Sequence, residues 1–219
     1  MNRLLFEKCG DAVYVSHLDL MRVFQRAFKR ADIMIWHSQG FSPRAYVSIA
    51  LPLPVGTQSR CEILDFEIED GSVELSELSE RLNAVLPEGI CVLQAYESSR
   101  KVKELTRLRA EVTLEYDKGV PQDAQKELAA LFARESIVIT KRSKKGDKEL
   151  DIRPLIYALS IAAVNENELR LETVLSAQNP GLNPQLLLTA IETHLPTTQP
   201  DFARICRLEV LDEQGNPFR

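Results

Sequence analysis

The eleven residues Trp36-His37-Ser38-Gln39-Gly40-Phe41-Ser42-Pro43-Arg44-Ala45-Tyr46 bring hydrogen-bond donors, stackable rings and backbone punctuation into one short stretch. Ser38, Gln39 and Arg44 can hold a polar or anionic group, while Trp36, Phe41 and Tyr46 offer flat apolar surfaces to a ring or base. Gly40 and Pro43 fix the chain path, as a binding loop on a rigid scaffold requires. A plain turn anchored in the core by Phe41 uses the same residues. Just upstream, Arg22, Arg26, Lys29 and Arg30 recur at helical spacing and form a basic ridge that suits phosphates, although a solvated face is the simpler reading. His17 stands at a strand-to-helix junction, where an imidazole serves as general acid or base, or only as a polar boundary. A third cluster is the basic run Lys141–Lys148, followed by Asp151 and Arg153 on one side of an extended segment. The run could grip phosphates, and Arg153 joins the candidate ligand- or RNA-binding residues.

Several chemistries lack their signatures. There is no GxxxxGK[ST], GxGxxG, HExxH or GxSxG pattern, and the four cysteines (Cys9, Cys61, Cys91, Cys206) are scattered with no CxxC. No metal site and no cofactor is expected, and catalysis by this chain alone finds no support. With 44% hydrophobic and 27% charged residues, the 219-residue chain has the composition of an ordinary globular protein. No apolar run approaches the ~18 residues that cross a bilayer, and Glu7 arrives too early for a secretory core. A cytoplasmic protein with no membrane contact is therefore expected. Charge is uneven: residues 1–60 hold eight Lys/Arg against four Asp/Glu, and residues 61–97 hold one against ten. That pattern disfavours a polyanion binder along the whole chain and leaves room for a local basic face.

The elements that must position these residues follow from periodicity. Residues 3–8 read as a strand, continued by 12–15 past a Gly10-Asp11 turn. Ser16 caps a helix reaching about Ala31, with Asp19 in the capping-box position. Strands follow at 46–51 and 61–69, the latter alternating from Leu64 so that one face is wet. A helix at 76–86 and a strand at 91–96 complete the order βαββαβ. The second half gives a strand at 108–116, a helix at 122–133, a strand at 137–140, a hairpin of 158–163 with 169–175, a helix at 184–194 and a strand at 204–211. It carries one strand more than the same pattern needs. The expected fold class is α+β: two tandem ferredoxin-like (βαββαβ) modules with antiparallel sheets, at residues 1–98 and 106–219, joined through the polar stretch Ser98–Arg107.

The segments SHLDLMRVFQRAFKRADI (16–33), HSQGFSPRAYVSIALPLPVGTQS (37–59) and KELDIRP (148–154) resemble the radical-SAM-linked family of bacterial proteins of unknown function. That domain occurs alone or fused behind a radical SAM enzyme. Ala45 replaces the family pattern's second proline, and Met34 and His37 stand where it leans to Pro and an aromatic. The resemblance implies a radical SAM enzyme as partner in trans and names no reaction. The expected function is a non-catalytic accessory protein that presents RNA, a ribosome-related substrate or another substrate to that enzyme. One alternative is a metal-independent endoribonuclease similar to the CRISPR repeat-processing enzymes, with His17 as general acid/base and Arg44 or Lys29 stabilising the phosphorane. The other is a protein–protein adaptor docking through the acidic 61–97 segment.

Overall fold

In the computed structural model, which describes residues 1–69, 73–141 and 146–219, the chain divides into Met1–Glu104 with Phe218–Arg219, and Leu105–Pro217. The first unit holds β1 (Asn2–Lys8), α1 (His17–Arg30), β2 (Val47–Ile49), β3 (Thr57–Phe66), α2 (Leu75–Asn83) and β4 (Ile90–Glu97). β1 lies between β4 and β3, β2 pairs the end of β3 through Val47↔Phe66, and every pairing is antiparallel. α1 starts where the Ser16 hydroxyl accepts the Asp19 N–H at 3.2 Å. Leu20, Phe24, Ala27 and Phe28, at i, i+4, i+7 and i+8, are its buried face. They join Leu4, Phe6, Leu64 and Phe66 in one core. Ring contacts tie helix to sheet, Phe6–Phe24 at 4.7 Å and Phe28–Phe66 at 4.9 Å. Replacing Ser16 by alanine should cost about 1 kcal/mol, the usual loss of an N-cap; a urea melt of the variant checks this, and an unchanged midpoint would mean the cap is dispensable.

Two expectations for this unit need correction. Residues 12–15 do not extend the first strand. Gly10, at φ +54°, turns the chain into a 3-10 turn over Gly10–Tyr14. The buried Lys8 amine holds that turn by donating to Val13 O at 3.1 Å and Val15 O at 2.8 Å. Nor does the third strand have a wet face, since every residue from Cys61 to Phe66 is buried. Asp65 survives burial because Arg3 reaches it in a forked pair, Nε to Oδ1 at 2.6 Å and Nη2 to Oδ2 at 3.1 Å. Arg3 also donates to Ser98 Oγ and Arg100 O, both at 3.0 Å, and lies over the Phe218 ring. An acid within alternating apolar residues signalled a buried ion pair here, not solvent.

The second unit holds β5 (Arg107–Glu115), α3 (Ala124–Phe132), β6 (Val138–Lys141), β7 (Lys148–Asp151), β8 (Ile156–Asn165), β9 (Glu168–Ser176), α4 (Gln185–His194) and β10 (Phe202–Leu211). β5 lies between β10 and β9, and β8 closes the row on β9, all antiparallel. The surplus strand read from the sequence is β6. It leaves the main sheet and pairs with β7 in a separate hairpin. Asp151 secures that hairpin by accepting the N–H groups of Ile137 at 2.9 Å and Arg153 at 3.0 Å, which hold its carboxyl below the usual range. The core gathers Val112, Leu114, Leu128, Leu131, Leu171, Leu187 and Ile191. Among the described residues the fold is thus α+β, with mainly antiparallel sheet and four α-helices. No helix among them is long and apolar enough to cross a membrane.

Candidate ligand-binding site

α1 ends with Asp32 in the left-handed region (φ +54°), which swings the chain away from the helix axis. Arg81 of α2 covers the exposed carbonyls there, donating to Ala31 O at 2.7 Å and Asp32 O at 3.1 Å. Ile33 and Ile35 then bury themselves, and Trp36 N–H bonds Glu67 O at 2.8 Å. Beyond that anchor the segment folds back on itself. Tyr46 N–H donates to Trp36 O at 2.8 Å, Ser38 N–H to Arg44 O at 2.9 Å, and Arg44 N–H to the Ser38 hydroxyl at 3.1 Å. Residues 36–46 therefore form a braced hairpin, with Trp36 and Tyr46 in edge contact at 5.8 Å near its base. At its tip Gly40 takes φ +133°, which a side chain would strain.

Phe41 is wholly exposed on that tip, at 112%. The reading of Phe41 as a core anchor is overturned; the backbone bonds hold the hairpin without it. Phe41→Ala should accordingly leave stability within about 0.5 kcal/mol, as surface changes do. A melting curve showing a loss of several kcal/mol would return Phe41 to a core role.

Between the C-terminal half of α1 and this hairpin lies a cleft of about 510 Å³. Phe28, Ile33 and Ile35 form its apolar floor, and Gln25, Lys29, Met34 and His37 contribute to its walls. Gln25 Nε2 donates to Ala45 O at 2.9 Å, tying helix to hairpin. The cleft thus sets an apolar floor beside one ammonium, one imidazole and the Asp32 carboxylate, a combination that accepts a flat ring and can hydrogen-bond its polar edge.

The residues singled out from the sequence divide clearly. Lys29 lines the cleft, and Arg26 and Arg30 are exposed on the same helix. Arg22 is paired with Asp19 at 2.8 Å, which partly neutralises it. Ser38 braces the hairpin, whereas Gln39 and Arg44 are exposed on it. His17 opens α1, twelve positions before Lys29, or about 18 Å along the helix. The structure does not bring those two together, although His17 Nδ1 is buried with no hydrogen-bond partner. Arg153 belongs to the second unit, where its guanidinium donates to Arg134 O at 3.1 Å and Ile156 O at 2.9 Å. Residues 142–145 of the basic run lie outside the described residues. Sequence reasoning missed Gln25, Met34 and His37 as wall residues. The signal for Gln25 was its i, i+4 spacing to Lys29 on α1. Among the described residues no cluster of His, Cys, Asp or Glu could hold a metal ion.

A family model described as "Uncharacterized protein conserved in bacteria (DUF2344)" matches residues 2–184, a span that includes the helix, the cleft and the hairpin. No curated protein matches. Among solved structures, the chain is similar to one in the "Crystal Structure of a Cbf5-Nop10-Gar1 Complex", at 10% identity and TM-score 0.50, covering 95% of this chain and 48% of that one. It is similar also to one in the "Structure of H/ACA RNP bound to a substrate RNA containing 2'-deoxyuridine", at 8% identity and TM-score 0.50, covering 95% and 47%. The chain spans about half the length of each of those two, and identity this low speaks of fold alone.

Proposed function

Since the chain belongs to the uncharacterized bacterial family DUF2344, whose description names no activity, we propose from its site that it is a non-catalytic binding module. In this reading it holds single-stranded RNA in the α1 cleft and along the 36–46 hairpin. A radical SAM enzyme acts on the bound substrate in trans. The observation that carries the RNA reading is the exposed Phe41, braced on a hairpin that also carries Arg44 and that walls a cleft containing Lys29. An unstacked base finds a ring to stack on, and its phosphates find cations. The likeness in fold to a chain from an RNA-bound complex accords with this. The radical SAM partner rests on the resemblance of segments 16–33, 37–59 and 148–154. We also read both units as ferredoxin-like, supported by the repeated antiparallel arrangement in which the first strand lies between the fourth and third and the second strand follows the third.

The rival readings fare less well on geometry. An endoribonuclease using His17 with Lys29 needs both groups at one phosphate, and most of α1 separates them, which leaves that reading only His17 with Arg44. An adaptor docking through 61–97 loses Glu62 and Asp65, which are buried. The test is fluorescence anisotropy with a labelled mixed-sequence single-stranded RNA. Wild type should bind, and Phe41→Ala should lose about 1–3 kcal/mol of affinity, the worth of one stacked base. Equal affinity in the variant would remove the hairpin tip from the site.

A further inference from the structure

β8 ends the strand row of the second unit, with β9 on one side and no strand on the other among the described residues. Its ten residues, IYALSIAAVN, include no charged side chain. Proteins ordinarily blunt such an edge with Lys, Glu or Pro, because its unpaired backbone groups template another strand. This chain does so elsewhere: the short β7, KELD, is charged at three of its four positions. On β8, Tyr157 is 51% and Val164 42% exposed, and Ala158, Ser160, Ala162 and Ala163 are exposed with them. Past the strand the surface continues into a groove of about 340 Å³ against α3, where Ala129, Phe132, Leu159 and Ile161 lie beside Gln125 and Arg153. An uncharged edge strand with its backbone groups open suits an uncharged, extended segment.

The geometry points to β8 of a second copy of this chain as that segment, paired antiparallel about a two-fold axis near Ser160–Ile161. Charge at the two ends of the strand selects this occupant and direction. At the start of β8 the Arg107 guanidinium lies over the Tyr157 ring, 4.5 Å from its centroid. At the other end, the turn after β8 carries exposed Glu166. Antiparallel two-fold pairing sets the Arg107–Tyr157 end of each copy beside the Glu166 end of the other, twice. Parallel pairing would set arginine against arginine and glutamate against glutamate, which costs affinity. The antiparallel contact is also self-complementary, so both edges are used up and the assembly closes as a dimer instead of growing. Gln125 Nε2 already donates to Ile161 O at 3.0 Å, and that carbonyl keeps a second lone pair for the incoming strand.

The experiment is sedimentation analysis of the full chain over roughly 1–100 µM, the range in which a modest interface fills. The 24.8 kDa chain should approach twice its mass as concentration rises. Ser160→Lys places two like charges beside the axis and should weaken dimerisation at least about tenfold, with melting unchanged because the site is exposed. Ala162→Glu makes the same test should the first variant fold poorly, and Gln94→Lys, exposed on β4, should leave the dimer intact. A wild type that stays monomeric across the range overturns the proposal. A dimer that persists in both β8 variants does so as well, since the contact would then lie elsewhere.

Discussion

Replacing Asp65 by alanine should destabilise the protein by about 3–5 kcal/mol, because it leaves the Arg3 guanidinium buried with no counter-charge. Both side chains are almost wholly buried, 0% and 4% exposed, so solvent cannot take over the lost partner. Arg3 would retain Ser98 Oγ, Arg100 O and the Phe218 ring, which satisfy part of its fork but not its charge. Replacing both partners, Arg3→Met with Asp65→Leu, should recover most of the loss, as apolar substitutes for a buried pair often do. Urea unfolding of the three proteins reads this directly. A single variant within about 1 kcal/mol of wild type would mean that water reaches Arg3 and that the pair is not the tie described here.

That pair also shows where the sequence stops being legible. α1 could be read because its cap and apolar stripe lie within fifteen residues, and the structure places it at His17–Arg30. The burial of β3 could not, because the partner that permits it, Arg3, is 62 residues away. Local alternation of Asp65 and Glu67 with Leu64 and Phe66 looks the same whether the acids meet water or a guanidinium. The second-half surplus strand had a similar cause: β6 pairs with β7, and no local pattern announces that register. In the site, ring and cation chemistry of 36–46 was visible, but not the direction in which it points. An aromatic beside Gly and Pro suits a core anchor as well as an exposed tip. Only the backbone bonds from Ser38 to Arg44, and from Trp36 to Tyr46, decide for the tip.

Loss of the cleft's cation together with the hairpin's should have the largest effect on binding. Lys29 lines the cleft and Arg44 is exposed on the hairpin that walls it. Among the described residues the Lys29 side chain makes no hydrogen bond or ion pair, and Arg44 braces the hairpin through its backbone, which alanine keeps. Stability and binding should therefore separate in the double variant Lys29→Ala/Arg44→Ala. The decisive measurement is the affinity of wild type and double variant for one labelled single-stranded RNA at several salt concentrations, with melting on the same preparations. The account predicts melting within about 1 kcal/mol and affinity at least about tenfold weaker. It also predicts a plot of log affinity against log salt that is shallower by about 1.4, two phosphate contacts at ~0.7 each. A double variant that melts normally and binds with unchanged affinity and slope would contradict the placement of the RNA site at this cleft and hairpin.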